Sequence, residues 1–151
     1  MTNYKLLTEQ LAALSEGVRF EQTILANAAA LLYLSLPDLN WAGFYLMRDG
    51  VLLLGPFQGK PACTKIDLGK GVCGTAARED CTQLVADVHA FEGHIACDAA
   101  SNAEIVIPLH KNGKVYGVLD IDSPQKNRFN EQDKLGLENF ARKLEALIAS
   151  L

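Results

Sequence analysis

An α+β domain with a central antiparallel sheet is the fold class this 151-residue chain predicts. Two stretches of helical period come first, a run of mostly hairpin-linked strands follows, and one more helix closes the chain. No repeat, low-complexity tract or linker divides the sequence, so residues 1–151 read as a single domain. A domain of this length buries roughly two thirds of the surface its unfolded chain exposes.

Each element has its own signal. Leu6, Leu7, Leu11 and Leu14 recur at helical spacing, and Gly17 can close that helix in a left-handed cap. A second helix carries Phe20, Ile24, Ala28, Leu31 and Leu32 as its stripe before Pro37. Residues 41–47 change to a strand pattern, and Asp49-Gly50 turns the chain into a strand over 51–54. Gly55-Pro56, Gly59-Lys60-Pro61 and Gly69-Lys70-Gly71 mark loops around a short extended piece at 64–66. Residues 72–79 suit a short helix and 82–86 a strand. Residues 88–102 have no period and predict a long loop, which inside a compact domain usually serves function. Strands are expected over 103–109 and 114–122, around Asn112-Gly113. The last helix starts near Asn130, an N-cap with Asp133 three residues on, and runs through Leu137, Phe140, Leu144, Leu147 and Ile148. The N- and C-terminal helices should cover one face of the sheet. The other face is left to a pocket enclosed by the long loop.

Composition excludes several classes of function. Hydrophobic residues make up 49% of the chain, so a packed core needs no disulfide or metal. The formal charge of −4, with no run of four or more basic residues, argues against a nucleic-acid or anionic-membrane partner. Residues 1–10 lack the apolar block of a signal peptide, and the most apolar stretch, 28–36, is too short to span a bilayer. The expectation is a cytoplasmic protein whose four cysteines are made as thiols.

Strand alternation gives the first chemical clue. In 114–122, Val115, Gly117, Leu119 and Ile121 form a plain core row, while Tyr116, Val118, Asp120 and Asp122 share the opposite face. Asp120 and Asp122 could simply be solvated there. In 41–47, Ala42, Phe44 and Leu46 should pack on the helices, leaving Trp41 and Tyr45 for the pocket side. Glu104 depends on the hairpin. A two-residue type I′ loop at Asn112-Gly113 puts it on the Ile121 side, buried in the core at a cost. A three-residue loop, Lys111-Asn112-Gly113, puts it with Asp120, and this second form is favoured.

Cys63, Cys73 and Cys97 lie in Gly-rich or polar stretches where a thiol can be reached and moved. Taken singly, each could be a small buried hydrophobe. Together, upstream of Glu104, Asp120 and Asp122, they point to redox or nucleophilic chemistry. Cys73 sits where a helix begins, a position that favours thiolate. Cys97 lies among small residues that let a ligand approach closely. Cys81 follows Glu79-Asp80 and is incidental. The spacings of Cys63, Cys73, Cys97 and His94 match no compact zinc knuckle, so no metal or cofactor is expected. His89, His94 and His110 read as loop or strand-end residues.

The stretches Gly59-Lys60-Pro61-Ala62-Cys63-Thr64, Gly69-Lys70-Gly71-Val72-Cys73-Gly74-Thr75-Ala76, His94-Ile95-Ala96-Cys97-Asp98-Ala99-Ala100-Ser101-Asn102 and Leu119-Asp120-Ile121-Asp122-Ser123 resemble those of free methionine-(R)-sulfoxide reductases, enzymes of GAF fold. The likeness spans essentially the whole chain, including Trp41-Ala42-Gly43-Phe44-Tyr45. It implies a GAF-like domain in which Cys97 is the nucleophile and Cys63 or Cys73 the resolving thiol. It also implies that Glu104, Asp120 and Asp122 bind and polarise the substrate, with Trp41 near its methyl group; Tyr45, on the same strand face as Trp41, joins that pocket as a substrate-binding candidate. Cys97 is then expected to be the thiol beside the acids. The implied partners are free methionine sulfoxide and thioredoxin as reductant, with a homodimer as one allowed assembly. Two rivals stand beside this reading: a GAF signalling module that binds a small amine or nucleotide without turnover, and a thiol peroxide sensor.

Overall fold

The computed structural model describes residues 1–95, 97 and 99–151; Ala96 and Asp98, part of the small-residue stretch around Cys97, lie outside the described residues. The elements are α1 (Tyr4–Leu14), α2 (Glu21–Ser35), β1 (Trp41–Arg48), β2 (Val51–Gly59), β3 (Lys65–Asp67), α3 (Gly71–Glu79), β4 (Gln83–Val85), β5 (Ala103–Lys111), β6 (Lys114–Ser123) and α4 (Glu131–Ala149). A 3-10 turn, Val88–Ala90, opens the stretch expected to be loop throughout. The six strands form one antiparallel sheet in the order β3-β2-β1-β6-β5-β4.

The helix ends follow the local chemistry. Asn130 Oδ1 accepts from the Asp133 amide at 2.9 Å, and Asp133 Oδ2 accepts from the Asn130 amide at 3.0 Å. This reciprocal capping box starts α4 where the sequence placed it. Tyr4 then donates to Asp133 Oδ1 at 2.7 Å, tying α1 to the same cap. Phe20, expected on the stripe of α2, is instead its N-cap residue and largely exposed.

Two apolar layers result. Leu7 and Leu11 of α1, Leu25 and Leu32 of α2, and Phe140 and Leu144 of α4 pack on Ala42, Phe44, Ile105, Ile107, Leu119 and Ile121. Burying each large side chain contributes about 1.5–3 kcal/mol. On the opposite face Trp41, Tyr45, Val106 and Val118 meet Ile66, Val85, Val88 and the α3 residues Val72, Ala76 and Ala77. The N- and C-terminal helices therefore cover one face, and α3 with the long loop covers the other.

Three strand details depart from expectation. β2 does not stop at Leu54 but continues to Gly59, because the ladder with β1 steps from Tyr45↔Leu54 to Gly43↔Phe57. The extra residue makes room for Pro56, which a regular central strand would reject. The β5–β6 loop is the two-residue form, with Lys111 opposite Lys114 and positive φ at both Asn112 (54°) and Gly113 (76°). A bulge then changes the parity: His110 faces Val115, but Leu109 faces Gly117, leaving Tyr116 as the extra residue. Tyr116 consequently packs toward the helices, donating to Glu21, and Val115 lies on the α3 side, the reverse of the expected rows.

Candidate active site

The bulge sets the floor of the site. Past it, Glu104 lies opposite Asp122 and Val106 opposite Asp120, so all three carboxylates share one face. On the neighbouring strand Trp41 pairs with Asp122 and Gly43 with Asp120, which brings Trp41 and Tyr45 to that same face. Gly43 is required there: a Cβ would collide with Phe57 of β2, whose ring stacks on Trp41 at a centroid distance of 5.1 Å. The stack continues to Tyr45 at 5.8 Å. Both aromatic heads are then used as anchors. Trp41 Nε1 donates to the Lys60 carbonyl at 3.1 Å, and Tyr45 donates to the Cys63 carbonyl at 2.9 Å. Together they hold the segment between β2 and β3 against the sheet.

These residues enclose a cavity of about 500 Å³, its open mouth included. Trp41, Tyr45, Cys73, Ser101, Glu104, Asp120 and Asp122 form its buried wall, and Lys70, His94, Ile95 and Cys97 its more exposed part. The size suits a small molecule. Ile66, Val72 and Ser101 line the same cavity; Val72 and Ser101 fall within the stretches that carry the family resemblance, whereas Ile66 does not. Nothing in the local pattern of Ile66 separates it from an ordinary core position.

The electrostatics are unusual for so small a volume. Glu104, Asp120 and Asp122 are each at most 9% exposed. Burial pushes the Glu104 carboxyl well above the usual carboxylate range, and Asp120 adds to this by charge and by hydrogen bonding. Burial likewise raises Asp120, with Asp122 the next cause. Carboxyls crowded this way oppose one another's ionisation, which favours the protonated form. Asp120 Oδ1 is buried with no hydrogen-bond partner among the described residues, an acceptor on the wall of the cavity.

The thiols are arranged less symmetrically than the sequence suggested. Cys63 and Cys97 form a disulfide with a Cα–Cα distance of 5.5 Å, well inside the normal range. Cys73 is not in a mobile stretch: it is buried in the first turn of α3, with Sγ 3.9 Å from Glu104 Oε2. Its helix position does not favour thiolate here. Burial raises its pKa well above the ordinary thiol value, and Asp120, Glu104 and Asp122 push it further. Cys73 is therefore a thiol beside the acids, the place expected for Cys97. Cys81 is free and exposed.

Cys73 Sγ and one carboxylate oxygen each of Glu104 and Asp120 lie within 4.8 Å of one another, close enough to share a cation. An ammonium group would satisfy the same acceptors. The disulfide takes two sulfurs of the zinc alternative out of use in this state. His94 borders the cavity, whereas His110 lies one residue before the end of β5 and bonds Asp80 and Glu145.

Comparison with other proteins adds to this geometry. The family described as GAF domain matches residues 19–149. Protein YtsP of Bacillus subtilis (strain 168) is 55% identical over 149 residues, covering 97% of this chain and 91% of that one. The free methionine-R-sulfoxide reductase of Escherichia coli (strain K12) is 51% identical over 147 residues, covering 97% and 89%. Among solved structures, fRMsr of Staphylococcus aureus in complex with substrate superposes with a TM-score of 0.94 at 52% identity, covering 99% of this chain and 97% of that one.

Proposed function

We propose that this chain, which belongs to the GAF-domain family and within it to the free methionine-R-sulfoxide reductases, reduces free L-methionine-(R)-sulfoxide to methionine. The observation that carries the reading is the Cys63–Cys97 disulfide at a cavity walled by three buried carboxylates. It supplies both a two-electron store and a proton source.

In the first half-reaction the Cys97 thiolate attacks the sulfoxide sulfur. A protonated carboxyl of the cluster delivers its proton to the sulfoxide oxygen, a task that the raised pKa of Glu104 and Asp120 suits. The sulfur is reduced by two electrons and leaves as the thioether of methionine; Cys97 is oxidised and keeps the oxygen as sulfenic acid. In the second half-reaction Cys63 condenses with that sulfenic acid, releasing water and forming the Cys63–Cys97 disulfide. A dithiol reductant of the thioredoxin class, in a reducing compartment such as the cytoplasm, reopens it by exchange.

The remaining negative charge of the cluster has a second use. Three acids exceed what proton transfer needs, and the surplus binds the substrate's α-ammonium. Trp41, which lines the cavity beside Tyr45, offers an apolar contact for the S-methyl group.

The test is NADPH consumption coupled through thioredoxin, with free methionine sulfoxide compared against hydrogen peroxide. Turnover on the sulfoxide is expected. Oxidation by peroxide alone would replace the reading with a peroxide-sensing thiol, and no turnover on either with a ligand-binding GAF module.

A further inference from the structure

A free amino acid carries two charges, and the cavity as described answers only one. Its buried wall is acidic and repels a carboxylate, so an amino acid can enter in one orientation only: ammonium toward Asp120 and its neighbours, carboxylate toward the mouth. Among the described residues lining the cavity, the cationic candidates are Lys70 and His94. His94 does not qualify, because burial, and then the neighbouring His89, lower its pKa and keep it neutral.

Lys70 lies at the mouth, exposed, at the N-cap of α3. Its backbone is pinned from both sides. Its own amide donates to the Asp67 carbonyl at 3.1 Å, and its carbonyl accepts from Gly74 at 3.0 Å. The Gly69 amide donates to the Gly74 carbonyl at 2.8 Å, and the Gly71 amide to the Gly93 carbonyl at 3.1 Å. Gly69 (φ +81°) and Gly71 (φ +61°) take left-handed conformations that make this turn possible. The ammonium so positioned forms no ion pair with an acid among the described residues. A fixed backbone thus presents an uncommitted cation at the mouth of an otherwise acidic cavity.

We infer that Lys70 is a specificity residue that receives the α-carboxylate of the amino-acid substrate while the buried acids receive its α-ammonium. The inference rests on the reductase reading above and names a contact that reading leaves unassigned. Because the lysine is exposed, the contact is worth a modest factor in affinity and weakens with salt.

The experiment compares free methionine sulfoxide with its α-carboxamide, which keeps the ammonium and loses the carboxylate. Wild-type protein, Lys70→Met and Lys70→Arg are each assayed on both. For Lys70→Met, kcat/KM on the free acid should fall roughly 3- to 10-fold, through KM and not kcat, with the carboxamide unaffected. Lys70→Arg should restore the preference for the acid. An equal loss on both substrates would mean a structural role, and no loss on either would mean no contact; each overturns the assignment while leaving the reductase reading intact. Wild-type protein inactive on both would remove that reading, and this inference with it.

Discussion

Glu104 faces Asp122 across the β5–β6 ladder, and it does so because Tyr116, twelve positions along the chain from Glu104, is the bulged residue between them and the hairpin. In a regular two-residue hairpin Glu104 would fall opposite Ile121, in the helix-packed core. One extra residue moves a carboxyl from a place where it would be costly to a place where it can work.

Neutralising the acids should exchange function for stability. Glu104→Gln and Asp120→Asn remove candidate proton donors and should lower kcat by roughly 10²–10⁴-fold. Both carboxyls have folded pKa values raised above their unfolded ones. The unfolded chain therefore loses these protons first, and stability falls as pH rises from the ordinary carboxylate range through the raised folded values. At pH 8 each substitution should raise Tm, by about 2–4 °C per kcal/mol of relieved repulsion. Differential scanning calorimetry at pH 5 and pH 8 checks this; a lower Tm at pH 8 for both variants would contradict it.

The cysteines should separate into distinct roles. Cys97→Ser should abolish methionine formation, whereas Cys63→Ser should release about one equivalent per chain and then stall. Mass spectrometry of the oxidised protein should find Cys63 joined to Cys97. Cys81 should alkylate readily and Cys73 only after unfolding, given its burial. A Cys73–Cys97 or Cys81–Cys97 link as the main product would require another resolving thiol.

Free substrate should be preferred strongly over methionine sulfoxide within a peptide. N-acetylation removes the ammonium and leaves buried carboxylates without their counter-charge, a loss that sites built on such contacts reject. Competition between free and N-acetylated, C-amidated methionine sulfoxide measures it. Comparable kcat/KM values would dismiss the ammonium role of the acids.

His110 should give the fold a pH dependence of its own. Burial lowers its pKa, but the hydrogen bonds and charges of Asp80 and Glu145 outweigh burial and leave it raised. Its Nδ1 lies 2.7 Å from Glu145 of α4 and its Nε2 2.5 Å from Asp80, the C-cap of α3. A raised histidine stabilises fully below its unfolded value, near 6.5, and the contribution is lost as pH rises through the folded value. Partly exposed ion pairs of this kind contribute about 0.2–1 kcal/mol. His110→Gln should therefore lower Tm at pH 6 and change it little at pH 9. Equal losses at both would show that shape, not charge, matters at this position.

Much of this molecule is written locally. The capping box of α4 requires only Asn130 and Asp133. The parity of β1, which sends Ala42 and Phe44 to the helices and Trp41 and Tyr45 to the cavity, requires only alternation. The motifs around Cys63, Cys97 and the acid pair identified the family because they depend on residue type and spacing. Other features depend on contacts between segments distant in sequence, and these only the tertiary structure decided. Asn112-Gly113 suits either hairpin loop, and the choice of a type I′ turn plus a bulge at Tyr116 follows from packing that ring toward Glu21 and the helices. The continuation of β2 through Pro56 depends on where β1 places its partners. Cys73 looked like an activated thiol at a helix start, but α3 packs it against three carboxylates, and burial together with their charge reverses the effect. Local signals settle conformation at short range; which side chains share a cavity is settled by register and packing, which no single segment carries.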